Sequence, residues 1–127
     1  MYNQITLIGN LGADPDIKTM SNGNRYALLS IATHKKMKGE KITEWHKAVV
    51  WDDKIAEVLE KYTKKGSKVL LQGRLTYKNW EKDGQTVKQA EIHLDRFESR
   101  MELLDSRSDN VISIPDTKED NLDEIPF

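Results

Sequence analysis

The segment from Thr43 to Trp51 combines aromatic rings with a cation at a spacing that could bind a flat, negatively charged ligand. Successive side chains of an extended strand point to opposite faces, so Trp45, Lys47 and Trp51 share one face. Unstacked bases pack on aromatic rings, and phosphates attract Lys and Arg. The pattern therefore predicts a surface for single-stranded nucleic acid. The alternative from this strand alone is that both tryptophans are ordinary core or interface residues.

The charge of the chain is divided between a basic body and an acidic end. The net charge of all 127 residues is −1. Residues 1–104 carry 18 bases and 14 acids, a net charge of +4, whereas residues 105–127 carry seven acids and two bases, a net charge of −5. A basic body suits a polyanionic partner, and the net charge of the whole chain conceals it.

Length and composition narrow the class of protein. The length suits one domain with its own hydrophobic core. The chain has no cysteine, which excludes disulfides and thiolate metal sites. Its first residues lack the basic and apolar regions of a signal peptide, and no apolar run approaches the roughly 18 residues of a membrane span. We therefore expect a soluble, intracellular protein.

Hydrophobic periodicity predicts five strands and one short helix. The strands are expected at residues 2–11, 25–35, 43–51, 67–80 and 86–97. A helix of about ten residues should follow the third strand, because Asp52 or Asp53 can cap it and apolar residues then recur at helical spacing. This all-β layout with one helix between the third and fourth strands is that of the OB-fold. The OB-fold is a Greek-key barrel whose open face binds oligonucleotides or oligosaccharides.

Polar and glycine-containing segments predict the connections. Residues 21–24 and 82–85 are expected to form turns, because Asn, Asp and Gly tolerate positive φ. Residues 36–41 are expected to form a flexible loop between the second and third strands. The apolar side chains of residues 101–104 are expected to extend the last strand or to cover a barrel end.

An enzyme is the main alternative from another class of protein. Acidic residues are plentiful, but most fall in predicted turns, in the helix or in the acidic end. His34, His46 and His93 lack the spacing of a metal site, and the chain has no glycine-rich phosphate loop. We therefore expect no catalytic residue, no metal site and no cofactor. A second alternative is a module of the same fold that binds structured RNA or a protein partner alone.

Ordered motifs in residues 3–104 resemble the bacterial and mitochondrial type of single-stranded DNA-binding protein. The matching stretches are Ile8-Gly9-Asn10-Leu11-Gly12 with Asp14-Pro15, Thr43-Glu44-Trp45-His46-Lys47, Ile55-Ala56-Glu57, Lys65-Gly66-Ser67 with Val69, and Gly73 with Leu75 and Trp80. The resemblance implies an OB-fold domain over residues 1–104 that binds single-stranded DNA with little sequence specificity. It also implies protection of that DNA during replication, recombination and repair, in the cytoplasm at the nucleoid or, for a viral chain, in the host cytoplasm.

The resemblance also implies which side chains contact DNA. Trp45, Trp51 and Trp80 match positions at which the family stacks bases, and Trp51 replaces the usual phenylalanine. Met37 stands where some members carry another tryptophan, which should weaken one stacking contact. The cations at or near phosphate-contacting positions are Lys18, Lys35, Lys47, Lys54, Lys65, Arg74 and Lys78.

The resemblance further implies a homotetramer and a disordered acidic tail. His46 matches a position of subunit contact, so we expect a structural role for this histidine. Residues 105–127 should form a short flexible linker and an acidic tip, in which two apolar side chains anchor the segment and neighbouring acids keep it solvated. The tip residues expected to bind enzymes of replication, recombination and repair are Asp123, Glu124, Ile125, Pro126 and Phe127.

Overall fold

The computed structural model describes residues 1–105, which form seven strands and one helix. The strands are β1 (Ile5–Leu11), β2 (Asp16–Thr19), β3 (Arg25–Met37), β4 (Glu40–Val50), β5 (Lys68–Lys82), β6 (Gln85–Leu94) and β7 (Arg100–Leu103), and the helix is α1 (Asp53–Tyr62). The predicted fold class, a five-stranded barrel with one short helix, is confirmed. The predicted interaction tip lies outside the described residues.

Five of the strands close into a barrel. β1 pairs antiparallel with both β3 and β5, and the β3–β4 and β5–β6 pairs are antiparallel hairpins. A parallel pairing of β4 with β6 completes the ring. β2 adds to β3, and β7 adds to β5. Closure leaves one strand face turned to the core and the other turned outward all round the barrel.

The core follows from alternating apolar side chains on these strands. Ile31, Val50 and Leu71 are fully buried, and α1 contributes Ala56 and Leu59 to the same cluster. Asp52 caps the helix, because its carboxylate accepts from the backbone N–H groups of the next turn at 2.9 and 3.3 Å. The helix therefore packs into the barrel through one apolar stripe, as its spacing predicts.

The predicted loop at residues 36–41 is wrong. β3 runs to Met37 and β4 begins at Glu40, so only two residues connect them. These residues, Lys38 and Gly39, have φ values of 52° and 80°, which is the geometry of a tight hairpin turn. The prediction failed because a lysine in the left-handed region carries no local signal. The hairpin turn predicted at residues 82–85 is confirmed.

The end of the described chain also differs from the prediction. β6 stops at Leu94 instead of residue 97, and residues 100–103 form β7 on the edge of β5. Met101 packs against the core from this strand. Trp51 lies one residue beyond β4, where its backbone N–H donates to the Leu94 carbonyl at 2.8 Å. In residues 1–105, no helix is long and apolar enough to cross a membrane.

Candidate nucleic-acid interface

One side of the barrel carries the three tryptophans and three of the predicted cations. Strand alternation and the register of β3, β4, β6 and β5 place a common set of side chains on the side turned away from the core, here called the outer face. The outer face comprises Tyr26, Leu28, Ser30, Ala32, His34, Thr43, Trp45, Lys47, Val49, Trp51, Val87, Gln89, Glu91, His93, Arg74, Thr76, Lys78 and Trp80. It combines aromatic, cationic and small residues.

Trp45 is the most exposed tryptophan of the outer face, at 63%. Its indole lies over the backbone of Gly12, because a Cβ built on Gly12 would overlap the ring at Cζ3 and would lie 3.0 Å from Cη2. The Gly12 N–H is in turn held by the Ser30 carbonyl at 2.8 Å. A hydrogen-bonded glycine therefore supports a ring whose remaining surface faces solvent.

Trp80 occupies the other end of the outer face. It lies on β5 opposite Val87 of β6, close to the hairpin turn, and it is 39% exposed. None of the three tryptophans belongs to the buried core cluster of the described residues. The alternative that Trp45 and Trp51 are core residues is therefore wrong for Trp45, which is exposed, whereas Trp51 is half-buried outside the core cluster.

Trp51 is half-buried and makes specific contacts with neighbouring strands. Its ring stacks on Tyr26 of β3, with centroids 5.0 Å apart and an interplanar angle of 25°. Its indole N–H donates to Nδ1 of His93 on β6 at 3.0 Å. Trp51 is thus fixed between two strands, whereas Trp45 lies on one glycine.

Two of the predicted cations line a cleft in the outer face. Lys47 and Lys78 border a cavity of about 330 Å³ together with Ser30 and Val49. Acidic groups line the same cleft, among them Glu91. Positive charge therefore lies beside the tryptophans, as phosphate binding requires, and is partly balanced by acids of the protein.

Arg74 is engaged within the protein. Its Nε donates to Oδ2 of Asp95 at 2.5 Å, and this hydrogen bond raises the pKa of the Arg74 guanidinium. The charge-assisted pair holds the guanidinium against the Asp95 carboxylate. A phosphate at this position would have to share Arg74 with Asp95.

The other four predicted cations lie off the outer face. Lys35 pairs with Ile42, and alternation puts it on the face of the β3–β4 hairpin opposite Trp45. Lys54 is exposed in the first turn of α1, three residues after Trp51. The remaining two are exposed, Lys18 on β2 and Lys65 before β5. The structure brings Lys47 and Lys78 into one cleft and leaves these four outside it.

His46 points away from the tryptophans, as alternation predicts. It pairs with Ile31, whose side chain is buried in the core, and it is itself half-buried. Its Nε2 lies 2.8 Å from Oγ1 of Thr33. This contact engages the imidazole within the protein. Within residues 1–105, no cluster of His, Asp and Glu side chains could hold a metal ion.

Sequence reasoning did not single out Tyr26, Glu91 and His93, which the structure places on the outer face beside Trp51 or Lys47. Each alternates onto the outer face, so periodicity carries part of the signal. The contact between His93 and Trp51 depends on the parallel pairing of β4 with β6, which joins residues 42 positions apart. No local pattern indicates that pairing.

Comparison with known proteins adds an independent result. The family model described as Single-strand binding protein family matches residues 2–100. A single-stranded DNA-binding protein from Rickettsia felis is 36% identical over 115 residues, which cover 85% of this chain and 76% of the relative. A single-stranded DNA-binding protein from Rickettsia conorii is 33% identical over 147 aligned positions, which cover 98% of this chain and 97% of the relative.

A solved structure is also similar to this barrel. It is described as a Plasmodium falciparum SSB complex with ssDNA, and it matches with a TM-score of 0.77 and 34% sequence identity. The match covers 83% of this chain and 96% of that chain. Similarity in sequence and in fold therefore extends over the whole barrel.

Proposed function

Because this chain belongs to the single-strand binding protein family, we propose that it binds single-stranded DNA with little sequence specificity and without chemical conversion. The observation that carries the proposal is Trp45, which is 63% exposed on the same face as Lys47. A large aromatic surface left in water beside a cation is suited to an unstacked base and its phosphate. Family membership likewise supports the prediction that the chain is not an enzyme.

The proposed mechanism has two contributions. Each well-stacked base contributes roughly 1–3 kcal/mol, and cations release counterions as phosphates bind. Stacking tolerates every base because each has a π face, so little sequence preference results. Duplex DNA should bind poorly, because its bases are already stacked on one another. The DNA-binding residues in this proposal are Trp45, Trp51, Trp80, Lys35, Lys47, Lys54, Lys65, Arg74 and Lys78.

Tryptophan fluorescence tests this mechanism. Oligo-dT should quench the emission, and Trp51→Ala or Trp80→Ala should weaken binding by about 5- to 150-fold, the equivalent of one stacked base. Tyr62→Ala is a matched control, because Tyr62 is an exposed aromatic residue on α1 rather than on the outer face. A variant that keeps full affinity at low and at high salt would rule out that tryptophan as a base platform.

Three ligands in one titration test the alternatives. Oligo-dT should bind more tightly than duplex DNA of the same length. Tighter binding of oligo-rU would favour an RNA-binding module, and failure to bind any of the three would favour a module for protein partners alone. Loss of DNA during incubation with Mg²⁺ would indicate a nuclease.

The proposal extends to assembly and partners. A homotetramer with His46 near a subunit contact follows from the family resemblance, and Ile8, half-exposed on β1, offers apolar surface for association. Native mass measurement of the free protein tests the homotetramer, and a monomer would contradict it.

Recruitment of replication, recombination and repair enzymes through Asp123–Phe127 rests on the apolar and acidic residues of that segment. Phe127→Ala should abolish capture of such an enzyme while oligo-dT binding is retained.

A further inference from the structure

Trp51 is held at its N–H edge as well as on one face. The indole N–H donates to His93 Nδ1 at 3.0 Å, and the ring centroids of the two residues lie 5.9 Å apart at an interplanar angle of 51°. Tyr26 covers part of the ring by stacking. The backbone of Trp51 is fixed too, since its N–H donates to Leu94. The side chain therefore has little freedom to rotate.

The indole donor determines which nitrogen of the His93 ring carries the proton. An indole N–H can only donate, so Nδ1 of His93 must accept and cannot carry a proton. The proton of the neutral ring then lies on Nε2, which is 3.0 Å from Oε1 of Glu91. A hydrogen-bonded series thus runs from Trp51 through His93 to the Glu91 carboxylate. The side chains of His93 and Glu91 are only 16% and 12% exposed, so water competes poorly for these bonds.

The neighbouring charged side chains do not compete for the hydrogen bonds that link Trp51, His93 and Glu91. Arg74 lies opposite His93 in the β5–β6 register, but its guanidinium binds Asp95. Lys47 lies opposite Glu91 in the β4–β6 register. Glu91 therefore accepts a hydrogen bond from His93 and lies opposite a lysine in the strand register.

We propose that His93 is a positioning residue for DNA binding, which holds the indole of Trp51 in the orientation that receives a base. This inference rests on the proposed function, because it assumes that Trp51 is a base platform. Ordering a free tryptophan on binding would lower affinity, whereas a ring already held by His93 and Tyr26 avoids most of that loss. Removal of the His93 acceptor should therefore weaken DNA binding through its effect on Trp51, because His93 itself does not contact the DNA.

Two substitutions at His93 separate positioning from packing. His93→Asn keeps an acceptor near the Nδ1 position, and His93→Leu fills the space without one. We expect oligo-dT binding to weaken about three- to tenfold in His93→Leu and by less than twofold in His93→Asn. Tyr62→Leu is the control, because Tyr62 is an exposed ring on α1 rather than on the outer face. It should bind as the unmodified chain does.

Proton NMR of the indole N–H groups gives a readout that a purely structural role would not change. The protein has three tryptophans, and Trp51→Phe assigns the relevant signal by its loss. In the unmodified chain and in His93→Asn, the Trp51 indole proton should exchange slowly with solvent. In His93→Leu it should exchange at least tenfold faster, while the other two indole signals stay unchanged.

The outcomes distinguish this inference from the proposed function. Equal weakening in His93→Asn and His93→Leu, or unchanged indole exchange in His93→Leu, would overturn positioning by His93. If Trp51→Ala weakens oligo-dT binding and His93→Leu does not, the positioning inference fails and the proposed function stands. If the unmodified chain does not bind oligo-dT, the proposed function itself fails. Because His93→Asn retains the polar contact, it keeps the test valid should His93→Leu fold poorly.

Discussion

At the scale of single residues, the three tryptophans differ in what supports them. Trp45 lies on a bare backbone at Gly12, Trp51 is bonded to His93 and stacked on Tyr26, and Trp80 faces Val87. A ring that lies on a glycine can shift, whereas a ring with a hydrogen bond and a stacking partner cannot. We therefore expect substitutions near each tryptophan to act differently on DNA binding.

Gly12→Ala should displace the Trp45 ring. The new methyl group would overlap the indole, and since Trp45 is largely exposed the ring can move outward with little loss of folding free energy. Oligo-dT binding should fall by about five- to tenfold, part of the roughly 1–3 kcal/mol contributed by one stacked base. Fluorescence titration measures the affinity, and thermal unfolding checks the fold. In the double variant with Trp45→Ala, Gly12→Ala should have no further effect, and an additive loss would contradict the expectation.

Lys47→Gln should reduce the salt dependence of binding. A lysine that neutralises one phosphate contributes nearly one unit to the slope of log K against log salt, so its loss should lower that slope by about one. Lys61→Gln is a matched control, because Lys61 lies on α1 and pairs with Glu57 at 3.2 Å. Slopes from oligo-dT titrations at several salt concentrations check the prediction. An unchanged slope in Lys47→Gln would show that Lys47 contacts no phosphate.

At the scale of elements, an ion pair joins α1 to the start of β3. The Arg25 backbone N–H and Nε donate to Oδ1 of Asp53 at 2.8 and 3.1 Å. Arg25 precedes Tyr26, and Asp53 follows Trp51 by two residues, so the pair fixes the two segments that hold the stacked rings. Glu57 of the helix lies 3.6 Å from the same guanidinium. The helix therefore supports the segments that carry Tyr26 and Trp51 on the outer face.

Asp53→Asn should make unfolding less sensitive to acid. The hydrogen bonds from Arg25 lower the pKa of the Asp53 carboxyl below its ordinary range. A carboxyl with a lowered folded-state pKa stabilises the fold above its unfolded pKa, near 3.9, and this contribution is lost as the pH falls through the folded value. Chemical denaturation between pH 2 and pH 7 measures the effect. The difference in free energy of unfolding between the unmodified chain and Asp53→Asn should shrink as the pH falls below about 4. A difference that stays constant with pH would contradict this prediction.

At the scale of the whole molecule, two regions of opposite charge share one chain. Residues 1–104 have a net charge of +4 and residues 105–127 a net charge of −5. An acidic segment tethered to a basic domain competes with DNA for the same cations, because its effective concentration near them is high. The affinity of the complete chain should therefore be lower than that of its basic body.

Removal of residues 106–127 should strengthen oligo-dT binding at low salt. The difference in affinity between the chains with and without this segment should narrow as salt rises. Screening weakens the attraction of the cations both to DNA and to the acidic segment. A chain of full length in which the six acids of this segment are changed to amides is the matched control, and it should behave as the truncated chain does. Equal affinities of the truncated and complete chains at every salt concentration would contradict competition by the acidic segment.

The local pattern of the chain already specifies much of the fold. Period-two alternation assigns Trp45 and Lys47 to one face and His46 to the other, and a cap at Asp52 or Asp53 predicts where α1 begins. These features depend on neighbours within a few residues, so sequence alone carries them. The turn at Lys38-Gly39 escaped prediction because a two-residue hairpin with lysine at positive φ has no distinctive composition.

By itself, the sequence determined which side chains share each strand face, because alternation is a property of every extended chain. Only the tertiary structure decided which faces meet. The pairing of β1 with β3 brings Gly12 to Trp45, and the parallel pairing of β4 with β6 brings His93 to Trp51. Such contacts join residues tens of positions apart, and they arise from strand order and register, which no local pattern encodes.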